Sequence, residues 1–314
     1  MNVSIRLLQK HEISTADRIF RLAFGTFVGS SNPAEFFGDR NYIETRFNID
    51  PGAAFVAEVD GQIVGSNIAA NWGSVGTFGP LTVHPDYWDR KIAQSLVEAA
   101  IAKFSEWGIR QAGLFTFPNS PKHQLLYHKF GFYPRFLTFV MGKFIETDNP
   151  QDVELVRYST LDENGRSRSL KDCYNLTDSI YPELDASREI RSVYKQNLGD
   201  TILFYDNIGL AAFAACHCGA GSEAGADRCY IKFAAVRPGT HAADNFERLL
   251  TRCEAYAKTQ NLSRLVAGVN TSHAEAYTRM ISRGFRTETT GVAMHKPNEP
   301  AYHISDIFVL DDWR

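Results

Sequence analysis

An internal repeat constrains the fold of this chain more than any other feature of its sequence. A Val-x-Pro triplet that ends at Pro85 recurs at Pro238, and a Gly-Phe pair that begins at Gly131 recurs at Gly284, each 153 positions later. Equal offsets at both ends of a strand–loop–helix–strand–helix block indicate two copies of one fold. The length of 314 residues agrees with this, because a typical domain has roughly 150 residues.

Each copy is predicted to combine a sheet with helices. In the first copy, Asp60-Gly61 is the strongest hairpin signal in the sequence, and apolar residues four apart predict a helix over about 90–107. The fold class that we predict is α/β (α+β), with two tandem domains over residues 1–146 and 151–314. Each domain is predicted to be a mixed, mainly antiparallel sheet flanked by helices. The boundary is placed in the polar segment 145–152, which Pro150 interrupts.

The charge balance argues against partners that are held by bulk electrostatics. The net charge is −3 at pH 7, so we expect neither nucleic acid nor a membrane surface as a partner. No apolar run approaches the roughly 20 residues that span a bilayer, and the amino terminus lacks the apolar core of a secretion signal. Five cysteines without framework spacing suit a reducing compartment. We therefore expect a cytoplasmic protein, and the sequence leaves its oligomeric state open.

One loop has the geometry with which proteins hold phosphates. A short apolar strand reaches Val83, a loop follows Pro85, and a periodic helix begins near Arg90. The N-terminus of a helix binds anions through its free backbone N–H groups and its dipole. Such loops are usually rich in glycine, whereas this one reads WDRKIA from Trp88 to Ala93.

The segments LTVHPDYWDRKIAQSLVEAAI and SPKHQLLYHKFGF resemble the GNAT superfamily of acyl-CoA-dependent N-acetyltransferases. In that family a strand ending in Val-x-Pro precedes Gln/Arg-x-x-Gly-x-Gly/Ala, whose backbone N–H groups hold the CoA pyrophosphate. In this chain Val83, Pro85 and Ala93 match the pattern, while Trp88 replaces Gln/Arg and Lys91 replaces the first glycine. The resemblance implies GNAT-like domains in tandem, with the specific motifs confined to residues 81–132 of the first copy.

Lys91 is the departure with the largest consequence. Glycine lets a backbone approach phosphates without a Cβ in the way. Lys91 therefore either narrows the site or compensates for the lost glycine, its ammonium and the Arg90 guanidinium pairing with the pyrophosphate. Asp89 could cap the helix, although its carboxylate would then lie near an anionic ligand. The alternative interpretation is a tight turn with a solvated Arg-Lys pair.

Tyr127 matches the family's catalytic acid, because it lies four residues before Gly131-Phe132 on a predicted helix. In the family this tyrosine protonates the departing thiolate of CoA. The alternative is a core tyrosine with a satisfied hydroxyl. The resemblance implies acetyl-CoA as co-substrate, no metal, and these contacts with the cofactor: Leu81, Thr82, Val83, Trp88, Asp89, Arg90, Lys91, Ile92, Ala93 and Ser120.

The second copy is predicted to be catalytically silent. At the offset of 153 residues, Asp244 takes the place of Lys91 and Phe246 takes the place of Ala93. A carboxylate repels phosphate, and phenylalanine is bulky where a ligand must approach closely. Met280 takes the place of Tyr127 and cannot donate a proton. We expect this copy to be structural or to help form the acceptor site.

The sequence does not identify a general base. Amine acetylation needs an unprotonated nitrogen, yet the strand over 74–83 contains no carboxylate. His123 and His128 flank Tyr127 and could line the cleft, but surface histidines are the simpler interpretation.

A metal site is the less favoured interpretation of the cysteines. In the run Cys216-His217-Cys218, a strand places the two cysteines on one face and the histidine on the other, which opposes chelation by all three. Buried free thiols, with Cys229 among them, fit better.

The function that we predict is transfer of an acetyl group from acetyl-CoA to an amine acceptor, a small molecule or a peptide, by direct attack on the thioester. The missing glycine and the unidentified base leave two alternatives open. One is a CoA-binding regulatory protein without turnover, and the other is a scaffold in which neither copy binds the cofactor.

Overall fold

The computed structural model describes residues 2–145 and 153–314, here called the first and second halves. The predicted domain boundary at 145–152 lies outside the described residues except at its first position. The helices are α1 Ile13–Phe27, α2 Ile43–Phe47, α3 Ile92–Trp107, α4 Pro121–His128, α5 Glu163–Ile180, α6 Ser187–Lys195, α7 Ala242–Thr259 and α8 Ala274–Ser282. The strands are β1 Val3–Leu7, β2 Ala54–Val59, β3 Gln62–Trp72, β4 Val75–Phe78, β5 Thr82–Val83, β6 Gln111–Thr116, β7 Tyr133–Phe144, β8 Val156–Arg157, β9 Gly199–Asp206, β10 Gly209–Gly219, β11 Gly225–Val236, β12 Arg264–Asn270, β13 Arg286–Lys296 and β14 Val309–Leu310.

The predicted α/β class with a mainly antiparallel sheet is confirmed, but the two halves share one sheet. Its 14 strands include the ordered path β1-β2-β3-β4-β6-β13-β7-β12-β11-β10-β9-β8, with β5 paired to β3 and β14 to β11. Only the β4–β6 and β11–β12 pairs are parallel among the strands described. The strands predicted for each half are therefore joined by hydrogen bonds into one continuous sheet.

The halves are joined by the strands β7 and β13, each of which pairs with a strand of the other half. β13 of the second half pairs with β6 of the first, with Val292 opposite Thr116. β7 of the first half pairs with β12 of the second, with Val140 opposite Gly268. β7 and β13 also pair with each other, in an antiparallel register at the centre of the sheet. An alternating strand carries no signal for which neighbour it will pair with, so sequence reasoning could not predict this pairing.

The structure repeats with the offset that the sequence indicates. β6 and β12 begin 153 residues apart, at Gln111 and Arg264, and α4 and α8 begin at Pro121 and Ala274, with the same separation. Phe246 of α7 and Met280 of α8 belong to a fully buried core against β10, β11 and β12. These two side chains therefore fill space where the first half has a cleft.

The cleft opens where two parallel strands separate. The predicted continuous strand over 74–83 is broken: β4 ends at Phe78, and β5 begins only at Thr82. β4 pairs with β6 as far as Thr77 opposite Gly113, after which β5 turns to pair with β3. Gly79-Pro80 is a cis peptide at this turn. The edge of β6 beyond Gly113 therefore faces a gap in the sheet.

No helix within residues 2–145 and 153–314 has both the length and the apolar character needed to cross a membrane.

Candidate active site

The gap between β5 and β6 widens into a cleft of about 1150 Å³. Its near end is the loop that leads into α3, and its middle is bounded by Phe78–Val83 on one side and Phe115–Phe117 with α4 on the other. Its far end is formed by residues 36–46 of the first half and by residues 224–228 and 313–314 of the second. Both halves of the chain therefore supply walls of one cleft.

The structure brings most of the predicted site residues together in this cleft. Tyr127 lines it, and so does each predicted cofactor contact but one: Leu81, Thr82, Val83, Trp88, Asp89, Arg90, Lys91, Ile92 and Ala93. Ser120 is buried beside it as the N-cap of α4, where its hydroxyl accepts from the backbone N–H of His123 at 3.4 Å. The role of these residues toward a cofactor stays a prediction.

The loop before α3 has the backbone of a glycine-rich turn without its glycines. Lys91 is the N-cap residue of α3 and has φ 63°, in the left-handed region, and Asp89 has φ 62°. Glycine is favoured in this region because an L side chain costs about 1–2 kcal/mol there. The family's glycine at position 91 is thus explained by backbone conformation. Lys91 adopts the same turn and presents an exposed ammonium at the cleft.

Asp89 does not cap α3, so that interpretation was wrong. Its carboxylate instead forms an exposed ion pair with Lys122 of α4 at 2.6 Å, which joins the two walls of the near end. The indole Nε1 of Trp88 donates to the carbonyl oxygen of Val83 at 2.7 Å and pins the loop to β5. Arg90 lies over the ring of Tyr87, 5.2 Å from its centroid.

Tyr127 combines burial with access to the cleft. Its side chain is 7% exposed, lies 5.9 Å from the ring of Phe78, and shares a hydrogen bond with Thr116 at the end of β6. Burial raises the pKa of Tyr127 well above its usual value, and the hydrogen bond from Thr116 offsets only part of this effect. The phenol is therefore held in its protonated form, which is the form that can donate a proton.

His123 lines the cleft, whereas His128 on the same helix is exposed. The expectation of surface histidines was therefore correct for His128 and wrong for His123. The His123 ring lies 4.7 Å from that of Phe27 and 6.0 Å from that of Phe117. Burial, and less strongly the charge of Lys122, lowers the pKa of His123. Its Nδ1 is buried and has no hydrogen-bond partner among the described residues. A neutral imidazole of this kind can accept a proton.

A buried ion triad joins the halves at the far end of the cleft. Arg46 of α2 contacts Glu223 through two hydrogen bonds of 2.8 Å, and Lys232 contacts the same carboxylate at 2.8 Å. Burial alone would raise the pKa of Glu223, but the charges of Arg46 and Lys232 outweigh it and hold that pKa well below its usual range. Arg46 also donates to the carbonyl oxygen of Gly79 at 2.8 Å. Sequence reasoning missed this triad because its members lie 177 and 9 positions apart.

Trp313 is a packing residue and also a wall of the cleft. It is 3% exposed and covers Gly113 of β6, where an added Cβ would lie 2.1 Å from the indole ring. Behind it lies the histidine cluster, which we define as His273, His295 and His303. Burial lowers the pKa of each member to about 3.

The cysteines remain free thiols in the structure. His217 pairs with the buried carboxylate of Glu189 at 3.0 Å and so points away from Cys216 and Cys218. The described part of the chain contains no group of three or more histidine, cysteine or acidic side chains arranged to hold a metal ion.

Comparison with known proteins places this geometry in a family. The profile described as "Acetyltransferase (GNAT) family" matches residues 17–132, which include the loop before α3 and Tyr127. An acetyltransferase of Sodalis glossinidius is 32% identical over 101 residues, covering 32% of this chain and 71% of its own length. An acetyltransferase of Pectobacterium atrosepticum is 46% identical over 55 residues, which cover 18% of this chain and 39% of that protein.

Solved structures share the fold along nearly the whole chain. A GCN5-related N-acetyltransferase from Sphaerobacter thermophilus aligns with a TM-score of 0.58 at 14% identity, covering 93% of this chain and 95% of that one. A glucosamine N-acetyltransferase region of a fungal multi-domain β-N-acetylglucosaminidase aligns with a TM-score of 0.62 at 13% identity, covering 94% of this chain and 38% of that one. At such identities the likeness shows the fold alone. The family is shown by the relative from Sodalis, which is 32% identical and is covered over 71% of its length. This chain belongs to the GNAT acetyltransferase family.

Proposed function

We propose that this protein is an N-acetyltransferase that uses acetyl-CoA as donor and a small-molecule or peptide amine as acceptor. The observation that carries the proposal is one cleft that joins a helix N-terminus at its near end to the protonated phenol of Tyr127 in its middle. The curated relatives are named acetyltransferases, which does not favour a CoA-binding protein without turnover or a scaffold.

The near end fits a pyrophosphate. The left-handed turn at Lys91 directs the chain into α3, a helix of 16 residues, so the first backbone N–H groups of α3 are available to phosphate oxygens. Arg90, Lys91 and Lys122 supply positive charge at the same end. A single carboxylate, Asp89, opposes them there, and Lys122 already pairs with it.

The middle of the cleft fits the thioester. An extended pantetheine arm can lie along Leu81–Val83, in the gap that β6 leaves open, with the acetyl group directed toward the far end. The neutral amine attacks the thioester carbonyl, a C–N bond forms, and the C–S bond breaks in the tetrahedral intermediate. Tyr127 then donates its phenolic proton to the departing sulfur. The proton that the amine loses leaves through a base that we do not assign.

The test is turnover. Purified protein is mixed with acetyl-CoA and a panel of primary amines, and the release of free CoA thiol is followed together with the mass of the product. We expect thiol release that depends on the amine and one added acetyl group in the product. Binding of acetyl-CoA without acetylation of any acceptor, small molecule or peptide, would instead support the regulatory alternative.

A further inference from the structure

The far end of the cleft is rich in guanidinium groups, and one of them has no acidic partner in the part of the chain that the structure describes. Four guanidinium groups and one carboxylate, that of Asp39, line it. Three of these guanidinium groups have acidic partners: Arg46 with Glu223 at 2.8 Å, Arg228 with Glu288 at 2.8 Å and Arg314 with Asp312 at 2.9 Å. Asp39 accepts from the backbone N–H of Ala226 at 3.1 Å. The fourth guanidinium, that of Arg40, forms no ion pair with any of the described residues, and neither does the carboxylate of Asp39.

Arg40 is held in place by both halves of the chain. Its backbone N–H donates to Phe37, and its carbonyl oxygen accepts from Arg21 at 2.7 Å. Its side chain lies against Gly225 of the second half, where an added Cβ would be 2.9 Å from Cγ and 3.2 Å from Nε. Gly225 has φ 78°, so glycine serves there both as a turn residue and as a site of close approach. The backbone of Arg40 and the stem of its side chain are therefore held by contacts within the chain.

Beside Arg40 lies an aromatic wall. Phe37 stacks on Phe20 with ring centroids 4.9 Å apart and planes within 6°, and it contacts Phe36 at 4.4 Å. Phe37 itself has φ 74°, a costly conformation for a bulky residue. Such strain persists where surrounding contacts enforce it, and it is concentrated at ligand sites. Here it directs the ring into a cluster that lines the cleft.

We propose that the acceptor is an amine that also carries a carboxylate and an apolar side group, as an apolar α-amino acid does. Arg40 binds the carboxylate, and the wall formed by Phe20, Phe36 and Phe37 takes the side group. This inference rests on the proposed N-acetyltransferase function and narrows its acceptor. Guanidinium suits a carboxylate because its planar donors can make two parallel hydrogen bonds. A guanidinium without an ion partner is available to one such carboxylate.

The expected selectivity follows from a charge-assisted hydrogen-bonded pair. Such a pair contributes enough to discriminate about 10- to 100-fold between acceptors with and without the carboxylate. Both acceptors of a pair present a primary nitrogen, but the neighbouring carboxylate changes its basicity, so the ratio within a pair must be compared between proteins. The prediction therefore concerns kcat/KM for the acceptor, and KM for acetyl-CoA should not change.

The experiment compares matched acceptors. Phenylalanine is paired with 2-phenylethylamine and leucine with 3-methylbutylamine, so that each pair differs by one carboxylate. Glucosamine serves as a hydroxylated acceptor without a carboxylate. Wild type, Arg40→Gln and the control Arg18→Gln are assayed, since Arg18 is an exposed arginine of α1 outside the cleft. Comparing the ratio within each pair between proteins cancels the difference in amine basicity.

We expect wild type and Arg18→Gln to prefer the amino acid of each pair by about tenfold or more. Arg40→Gln should lose that preference, so that the ratio of kcat/KM within each pair falls about tenfold or more relative to wild type. Equal rates on both members of a pair in wild type, or a preference that survives Arg40→Gln, would overturn the inference and leave the transferase function intact. Acetylation of glucosamine and of no other acceptor would also overturn the inference and leave the transferase function intact. Acetyl-CoA that binds while no acceptor of the panel reacts would refute this acceptor class, and absence of acetyl-CoA binding would refute the proposed function itself.

Discussion

Tyr127→Phe separates acid catalysis from packing. The substitution removes one oxygen atom and keeps the ring, which lies 5.9 Å from Phe78 and belongs to a buried cluster with Phe132. The fold therefore loses the hydrogen bond that Thr116 donates to the phenolic oxygen, and no ring contact. This loss corresponds to about 0.5–1.5 kcal/mol of the free energy of unfolding.

The effect on rate should be larger than the effect on stability. Proton donation by a positioned side chain contributes about 10²- to 10⁴-fold, which corresponds to about 3–5 kcal/mol of the activation free energy. We expect kcat to fall within that range while KM for acetyl-CoA changes less than about threefold, because the phenol acts on the leaving sulfur in the transition state. Burial raises the pKa of Tyr127 above its usual value of about 10, so deprotonation of the phenol should produce no loss of activity below that pH.

The assay is steady-state thiol release from acetyl-CoA, with thermal unfolding of the same preparations. Tyr277→Phe is the matched control, because Tyr277 lies on α8 of the second half, packs against Phe139, and does not line the cleft. We expect the control to keep wild-type kcat. The reasoning is refuted if Tyr127→Phe keeps more than about half of wild-type kcat, where acid catalysis predicts at least a hundredfold loss. It is also refuted if the substitution raises KM for acetyl-CoA and leaves kcat unchanged.

Three further outcomes are expected. Lys91→Glu should weaken acetyl-CoA binding about tenfold or more at low salt and less at high salt. The exposed control Lys10→Glu should bind acetyl-CoA as wild type does. Equal affinities of Lys91→Glu and wild type in a titration would exclude a role for Lys91. Gly113→Ala should displace the indole of Trp313, which lies 2.1 Å from the added Cβ, and cost about 1–3 kcal/mol in a denaturant melt; an unchanged midpoint would contradict this packing. Stability should fall as pH drops below about 6.5, because the histidine cluster has pKa values lowered to about 3, so the unfolded chain binds more protons in that interval. Burial raises the pKa of Asp311 to about 6, so this group opposes the trend, but it is one group against three. Urea midpoints measured across the interval test the sign of the change in stability with pH. His303→Gln should reduce the slope of stability against pH.

The sequence predicted the parts of the fold that depend on local pattern. The repeat, the Asp60-Gly61 hairpin and the helix that ends before Gly108 are all local, and they appear in the structure with small shifts at their ends. The loop before α3 was found for the same reason, because strand, proline and helix follow one another along the chain. The left-handed backbone at Lys91 could be anticipated only from the glycine that the family has there.

The parts that were missed depend on contacts between distant segments. The pairing of β7 and β13 with strands of the other half is a choice of partner, and each strand has the same alternation whichever neighbour it takes. Arg40 and Gly225 are 185 positions apart in the sequence, and neither belongs to a motif. The role of such a charge or glycine depends on the contact between the second half and the far end of the cleft, which the local sequence does not show.

The most direct test of the account is an isothermal titration of acetyl-CoA into the wild-type protein. We expect saturable binding with a dissociation constant in the micromolar range and one molecule bound per chain. The single site is expected because Phe246 and Met280 fill the equivalent space in the second half. Two molecules bound per chain would contradict the assignment of a silent second copy. No binding at all would mean that the loop before α3 does not hold the cofactor.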